Sequence, residues 1–152
     1  MSRQPFSLFI SDLHLTPERP LPVQLFHRFI AEVAPDAQAL YILGDFFEAW
    51  VGDDSLSQPF NRAILDGHLC LGDRGVEIFF LPGNRDFLAG LDFAKAAGLN
   101  LLADPTRIDL HGVPTLLAHG DQFCTDDTTY QIFRRQVRDP VWQQQFLAQP
   151  LE

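Results

Sequence analysis

The sequence has little positive charge and little cysteine. Eleven Lys and Arg stand against twenty Asp and Glu, which gives a net charge of -9, and the bases form no stripe. A polyphosphate backbone would repel such a chain, so this composition argues against a nucleic acid partner. Cys70 and Cys124 lack the CxxC spacing of a zinc or redox site. We interpret both as small buried residues of a protein in a reducing compartment.

Long apolar stretches are absent as well. No run approaches the roughly 18 residues that a membrane-spanning helix needs. The first residues lead directly into a strand-like segment that carries Asp and His, which disfavours a secretory signal. Hydrophobic residues nevertheless make up 46% of the chain, with fourteen Phe among them, enough for the core of one domain. We therefore expect a soluble globular protein.

Short apolar runs alternate with helical patterns along most of the chain, and this alternation predicts an α/β fold. Strands are predicted over residues 6–11, 39–43, 76–81 and 99–102, and an antiparallel hairpin over 107–110 and 114–118. Helices are predicted over residues 23–33, 57–71, 88–97, 128–137 and 141–148.

The first two predicted strands end in residue types that bind metal ions. Asp12 and His14 follow the first strand, and in an extended chain residues i and i+2 point the same way. Asp45 follows the second strand on a Gly-Asp turn, where its two carboxylate oxygens could bridge two cations. Each signal is weak alone, because Asp12 is by itself better explained as the cap of a turn and Asp45 as the cap of the following helix.

Two further ligand types follow later strands. Asn84 and Arg85 lie in the segment LPGNRD, where Pro and Gly fix an abrupt turn that exposes the Asn84 carbonyl beside the Arg85 guanidinium. His119 opens the segment HGD after the hairpin. Chance is a poor explanation for four successive strand ends that all carry an oxygen or imidazole ligand.

The segments DLH, GD, GNRD and HGD, in this order and 33 to 39 residues apart, resemble the calcineurin-like metallophosphoesterase superfamily. This resemblance implies a β-sandwich flanked by helices, with a dinuclear metal centre. Longer segments at 11–20, 43–54, 81–90 and 119–140 resemble the UDP-2,3-diacylglucosamine pyrophosphatase family. That family hydrolyses the pyrophosphate bond of a lipid-linked nucleotide to UMP and 2,3-diacylglucosamine 1-phosphate (lipid X) in lipid A biosynthesis. The resemblance implies manganese as cofactor and a peripheral location on the cytoplasmic face of the inner membrane.

By position, the resemblance implies that Asp12 and His14 bind the first of two Mn²⁺ ions. Asp45 would bridge both ions, and Asn84 and His119 would bind the second. Two carboxylates against two divalent cations leave a net positive centre, which suits an anionic phosphate and lowers the pKa of water. Oxygen and imidazole ligands without thiolate favour Mn²⁺ over a structural zinc site.

The resemblance also implies catalytic roles for Asn84, Arg85 and His119. Arg85 stands where many superfamily members carry His, and Arg neutralises a phosphate without donating a proton near neutral pH. A phosphate leaving group needs that neutralisation, so we expect metal-activated hydroxide to attack one phosphorus while the other phosphate leaves beside Arg85. Asn84 and Arg85 would also contact the substrate. Asp127 and Tyr130 match the family's substrate-contact positions and would bind glucosamine or uridine.

Two parts are expected along the chain: residues 1–125 as the metallophosphoesterase core and residues 126–152 as the beginning of a helical cap. The cap segment interleaves apolar side chains with arginines, which suits an amphipathic surface for acyl chains or anionic headgroups. The alternative is a helix packed on the domain. The side chains concerned are Phe133, Val137, Trp142, Phe146 and Leu147, with Arg134, Arg135 and Arg138.

Other conspicuous residues have simpler interpretations. We expect His27, His68 and His111 to be surface or turn histidines, and Trp50 to be part of the core. The pairs Asp53-Asp54 and Asp126-Asp127 are typical of solvated or capping acids.

The family pattern continues with a Gly-His-x-His motif that supplies two more metal ligands, and no such motif occurs before Glu152. We therefore expect the chain to cover about the first two-thirds of a family member, with C-terminal strands of the sandwich missing. Two alternatives stay open. One is another metallophosphoesterase that acts on a soluble nucleotide, and the other is an inactive truncated product that binds metal without catalysis.

Overall fold

The computed structural model describes residues 5–149, and its centre is a four-stranded parallel sheet. The strands lie side by side in chain order, so each new strand is added at the same edge. Because all four strands are parallel, their carboxyl ends lie on the same side of the sheet. The predicted α/β class is confirmed. The strands are β1 (Ser7–Ile10), β2 (Ala39–Ile42), β3 (Glu77–Phe80) and β4 (Asn100–Leu101).

Three helices connect these strands and cover one face of the sheet. The first two begin with proline, whose fixed φ suits the first helical turn, and the third ends at Gly98 in the left-handed conformation. Leu40 and Ile42 of β2 point into the core beneath these helices, whereas Ala39 and Tyr41 point to the opposite face. The helices are α1 (Pro20–Glu32), α2 (Pro59–Gly72) and α3 (Leu91–Ala97).

An antiparallel hairpin packs on that opposite face. Its strands are β5 (Thr106–Leu110) and β6 (Val113–Leu117), as predicted, and the turn places His111 and Gly112 in the left-handed region. Leu117 joins a second apolar cluster with residues of β2 and β3. The layers are therefore helices, parallel sheet and hairpin.

Two more helices, α4 (Thr128–Val137) and α5 (Pro140–Leu147), follow at the positions predicted for the start of a cap. The carboxylates of Asp127 and Asp139 accept hydrogen bonds from the first-turn amides of these helices, which is why both begin where they do. The last three residues of the predicted cap lie outside the described residues. Within residues 5–149, no helix combines the length and the apolar character needed to cross a membrane.

Three predictions of burial were wrong. Cys70 and Cys124 are exposed, because Cys70 lies on the outer side of α2 and Cys124 in the loop before α4. His68 is buried, because it falls on the apolar stripe of α2 with Ile64 and Leu71. Its Nδ1 atom lies 3.2 Å from the carbonyl oxygen of Ile64.

Candidate metal centre

The loops that follow β1 and β2 and the segment after β6 converge at the carboxyl edge of the sheet. One ligand atom each of Asp12, Asp45 and His119 lies within 4.8 Å of the others. The backbone amide of Asp12 donates to the carbonyl of Gly44 at 3.1 Å, and that of His14 donates to the carbonyl of Asp45 at 2.9 Å. Main-chain hydrogen bonds therefore hold the first two ligand loops together.

The backbone at three predicted ligands is left-handed. The φ angles of Asp12, His14 and Asp45 are 57°, 48° and 51°. The extended backbone predicted for Asp12 and His14 is wrong, because two left-handed residues orient these side chains. Such a conformation costs roughly 1–2 kcal/mol for a non-glycine residue and persists where surrounding contacts enforce it, typically at functional sites.

Two glycines let the ligand turns approach each other. A Cβ atom on Gly44 would overlap the backbone of Gly83 and approach Nδ1 of His119 to 2.7 Å. A Cβ atom on Gly83 would overlap the carboxylate of Asp45. The Gly-Asp and Pro-Gly-Asn motifs thus require glycine for steric reasons, beyond its turn propensity.

The carboxylate of Asp45 lies between the two histidines. Its Oδ1 atom is 3.6 Å from Nε2 of His119, and its Oδ2 atom is 3.7 Å from Nε2 of His14. Asp45 is only 4% exposed, and its Oδ1 atom also accepts the backbone N–H of Arg85 at 2.9 Å. Because the two oxygens face opposite ligands, this carboxylate has the orientation that a bridge between two cations needs.

His119 and Asn84 form the other half of the site. The Nδ1 atom of His119 lies 2.8 Å from the carbonyl oxygen of Leu43, so Nδ1 carries the proton and Nε2 presents a lone pair. That lone pair faces the amide oxygen of Asn84 at 2.9 Å. Two acceptors this close repel each other unless a proton or a cation lies between them. The donor set therefore fits a divalent cation.

Arg85 lies at the rim of the site, half exposed. Its Nη1 atom is 3.8 Å from Oε1 of Glu48, and Oε2 of Glu48 is 3.4 Å from Nδ1 of His14. Glu48 thus links the predicted phosphate-binding side chain to a predicted metal ligand. Sequence reasoning missed this residue, although it follows Asp45 by three positions in the quoted segment.

Asp86 is a second residue that sequence reasoning left without a role. It is fully buried and accepts backbone N–H groups from Phe46 at 2.7 Å, Gly83 at 2.8 Å and Asp45 at 3.2 Å. Burial raises the pKa of this carboxyl above its usual range, and the N–H donors oppose that shift. Asp86 ties the turn after β2 to the turn after β3.

Trp50 and Asp53 support the Arg85 turn from outside the site. The indole of Trp50 donates to Asp53 at 3.2 Å, and the backbone N–H of Trp50 donates to the carbonyl of Arg85 at 3.0 Å. The Asp53 carboxylate also accepts the N–H groups of Gly90, Asp92 and Phe93 at the start of α3. The predicted capping role is confirmed for Asp53, and Trp50 is buried in the core as predicted.

The structure places Asp127 and Tyr130 on the first turn of α4. The Asp127 carboxylate caps the helix by accepting the Tyr130 backbone N–H at 2.9 Å. The Tyr130 hydroxyl donates to Asp121 at 2.5 Å, and burial together with Asp121 raises the pKa of Tyr130. In residues 5–149, neither side chain has a hydrogen bond or ion pair to the five predicted metal ligands.

The arginines of α4 do not all face solvent, which corrects the expectation of a headgroup-binding surface for two of them. Arg134 donates to Asp121 and Asp104, and Arg138 donates to the carbonyl of Gly83. The buried carboxylates of Asp104 and Asp121 need such a partner and hold Arg134 inward, whereas the Gly83 carbonyl holds Arg138. Arg135 remains exposed.

Comparison with known proteins identifies the relatives of this chain. The calcineurin-like phosphoesterase family profile matches residues 7–151. A UDP-2,3-diacylglucosamine hydrolase of Stenotrophomonas maltophilia (strain K279a) is 59% identical over 145 residues, which cover 95% of this chain and 58% of that protein. The UDP-2,3-diacylglucosamine hydrolase of Xanthomonas campestris pv. campestris (strain B100) is 56% identical over 145 residues, with the same coverage. The chain thus spans 58% of the length of these curated relatives.

A solved structure supports the fold independently. The crystal structure of Pseudomonas putida nuclease MPE superposes with a TM-score of 0.52 and covers 68% of this chain and 50% of that one. Its sequence identity of 17% limits this likeness to the fold. The family match extends over nearly the whole chain, and Asp12, Asp45 and His119 lie together at the carboxyl ends of the parallel strands. The chain therefore belongs to the calcineurin-like phosphoesterase family.

Proposed function

We propose that this protein hydrolyses the pyrophosphate bond of UDP-2,3-diacylglucosamine and releases UMP and 2,3-diacylglucosamine 1-phosphate, a step of lipid A biosynthesis. The observation that carries the proposal is the position of Asp45, with its two oxygens toward His14 and His119 and the Arg85 turn hydrogen-bonded to it. The names of the 56–59% identical relatives supply the substrate.

Two divalent cations, with Mn²⁺ preferred, complete the proposed site. Asp12 and His14 would hold the first cation, Asn84 and His119 the second, and Asp45 both. When bound, such a pair lowers the pKa of water and offsets the charge of a phosphate. The mixture of carboxylate, amide and imidazole donors, without thiolate, supports a cation of this type.

Arg85 would neutralise the departing phosphate. Its guanidinium is half exposed at the rim of the site, and Glu48 holds it at 3.8 Å without enclosing it. A guanidinium offers a planar fork of N–H donors that matches phosphate oxygens and stays charged at any physiological pH. This suits a leaving group that needs charge neutralisation more than a proton.

Asn84, Asp127 and Tyr130 are the remaining proposed substrate contacts. The Tyr130 hydroxyl uses its proton on Asp121, so its oxygen lone pairs are left to accept a hydrogen bond from a sugar hydroxyl or amide. The Oδ1 atom of Asp127 accepts the capping hydrogen bond from the Tyr130 backbone, and its Oδ2 atom remains available as an acceptor. Both residues would therefore recognise donors on the glucosamine or the uracil.

The lipid part of the substrate would meet the α4–α5 side of the molecule. A cavity of about 290 Å³ lies between the loop after Trp50 and the end of α5, with Val51, Leu88 and Phe146 in its walls. The cavity is also lined by Asp53 and Asp54, and its apolar part suits an acyl chain. We propose peripheral binding at the cytoplasmic face of the inner membrane, with exposed Arg135 near the headgroups. The exposed apolar side chains of this region are Phe123, Ile132, Phe133, Val141 and Leu147.

The test uses the chain joined to the portion of the Stenotrophomonas relative that it does not match. We expect Mn²⁺-dependent release of UMP from UDP-2,3-diacylglucosamine. Asp45→Ala should abolish it, because the shared ligand of both cations is lost. Asp66→Ala, a change of an exposed acid on α2, is the matched control and should retain full activity. Equal hydrolysis of simple soluble nucleotides would refute the proposal and favour the alternative of a soluble substrate.

A further inference from the structure

Arg134 of helix α4 contacts two buried carboxylates through two nitrogens of its guanidinium. The Nε atom of Arg134 donates to Oδ2 of Asp121 at 2.9 Å, and its Nη2 atom donates to Oδ2 of Asp104 at 3.1 Å. The side chains of Asp104 and Asp121 are 3% and 7% exposed, and that of Arg134 is 17% exposed. One guanidinium thus donates to two buried carboxylates that come from different loops.

Asp104 also contacts His119, a predicted metal ligand. While Oδ2 of Asp104 receives Arg134, its Oδ1 atom accepts the backbone N–H of His119 at 3.1 Å. Together with the bond from Nδ1 to the Leu43 carbonyl, this bond fixes both the backbone and the ring of His119. A change at Arg134 therefore reaches His119 through a single intervening side chain.

Arg138, one helical turn later, reaches the other ligand of the same half. Its Nη2 atom donates to the carbonyl of Gly83 at 2.9 Å, and its guanidinium carbon lies 5.3 Å from the centre of the Phe87 ring. Gly83 immediately precedes Asn84 in the turn after β3. The guanidinium is also 4.0 Å from Asp121, so the two arginines share one buried carboxylate.

We propose that Arg134 and Arg138 are positioning residues for the Asn84–His119 half of the metal centre. They act through Asp104 and through the Gly83 carbonyl, with no contact of their own to cation or substrate. The Asp12–His14 half has separate supports, namely the main-chain bonds to Gly44 and Asp45. This inference rests on the proposed function only in taking Asn84 and His119 as metal ligands.

The chemistry of the two arginines differs, and the test exploits that difference. Arg134 bridges two carboxylates with two nitrogens of one rigid fork, which a lysine ammonium does not reproduce. Arg138 makes one hydrogen bond to a carbonyl, which an ammonium on a flexible stem can supply. Lysine should therefore fail to replace Arg134 and should partly replace Arg138.

The main experiment records the imidazole ¹⁵N signals of the metal-free 152-residue chain by NMR, with signals assigned from single His→Gln variants. Arg134→Lys should shift the His119 signals and leave those of His14 unchanged. Arg138→Lys should give signals close to those of the unchanged chain. Arg135→Lys, an exposed neighbour on the same helix, is the matched control and should move neither set. Unchanged His119 signals in folded Arg134→Lys, or equal shifts of both histidines, would overturn the inference.

A second measurement follows Mn²⁺ binding by electron paramagnetic resonance. Loss of a residue that orients a metal ligand typically lowers metal affinity by about 10–100-fold. We expect such a loss at one of two sites in Arg134→Lys, and wild-type affinities at both sites would contradict the inference. If the His119 signals respond as expected but the lipid nucleotide is not hydrolysed, the proposed function fails and the positioning role stands.

Discussion

The Nε2 atom of His119 lies 2.9 Å from the amide oxygen of Asn84, and the Nδ1 proton of the same ring is already committed to a backbone carbonyl. The structure thus brings together two acceptors that need something positive between them. A cation satisfies both atoms, whereas a hydrogen bond would require either a second proton on the ring or an Asn84 amide turned so that its NH₂ group donates.

His119→Gln should therefore remove tight binding of the second Mn²⁺ ion. Loss of an orienting neighbour already costs about 10–100-fold in metal affinity, so loss of a direct ligand should cost about 100-fold or more. Isothermal titration of the chain with Mn²⁺ measures the effect. His111→Gln, in the exposed hairpin turn, is the control and should bind like the unchanged chain. An unaltered titration of His119→Gln would rule out this residue as a ligand.

Gly44→Ala should destabilise the fold more than Gly75→Ala. Both glycines have nearly the same left-handed φ, +85° and +86°, so both substitutions carry a similar backbone strain of about 1–2 kcal/mol. Only at Gly44 would the new methyl group overlap another segment, the backbone of Gly83. Overpacking of this kind adds about 1–3 kcal/mol. Urea unfolding of the two variants measures the difference, and equal losses would show that the overlap is relieved without cost.

The stability of the fold should fall as the pH is lowered from about 6.5 towards 4. Burial among Phe26 and Phe46 lowers the pKa of His68 to about 4 from an ordinary value of 6.5. Between pH 6.5 and 4 the unfolded chain consequently binds a proton that the folded chain does not. The free energy of unfolding is therefore highest above pH 6.5 and falls as the pH approaches 4. The shift corresponds to about 3 kcal/mol at most.

Denaturant unfolding at several pH values tests this expectation. His68→Leu should remove most of the pH dependence between 6.5 and 4, whereas His27→Leu, at an exposed site on α1, should preserve it. A dependence that survives in His68→Leu would assign the titration to other groups.

Arg85→Ala should lower turnover of the lipid nucleotide by about 100–1,000-fold, the range found when one donor to a developing negative charge is lost. The loss should be smaller for the p-nitrophenyl ester of UMP, because p-nitrophenolate carries less charge than a phosphate when it leaves. Steady-state rates on both compounds, with the protein used to test the proposed function, measure the two losses. Equal losses would mean that Arg85 serves binding in general and not the leaving group.

The order and type of the elements could be predicted from sequence because they depend on local periodicity. Short apolar runs alternate visibly with amphipathic helical patterns in the sequence. Pro20, Pro140 and Gly98 mark helix ends. The ligand types could be predicted as well, because they follow the strands directly and parallel strands end at one edge.

The contacts between distant segments could not be predicted. The left-handed backbone at Asp12 is stabilised by a hydrogen bond from its N–H group to the carbonyl of Gly44. No residue near Asp12 in the sequence indicates this distant contact. Likewise, the arginines of α4 form an amphipathic pattern by themselves. Arg134 and Arg138 point inward because of distant partners, namely two buried carboxylates and the Gly83 carbonyl. The burial of His68 follows from its position on the apolar stripe of α2, which its residue type alone does not indicate.

The buried carboxylate of Asp86 has a consequence for ion selectivity. Because it accepts N–H groups from the turns after β2 and β3, those turns share one rigid anchor in the core. This anchor restricts how far the turns that carry Asp45 and Asn84 can move apart. We therefore expect a larger divalent ion such as Ca²⁺ to bind more weakly than Mn²⁺ at the proposed site, which a competition titration of the two ions measures.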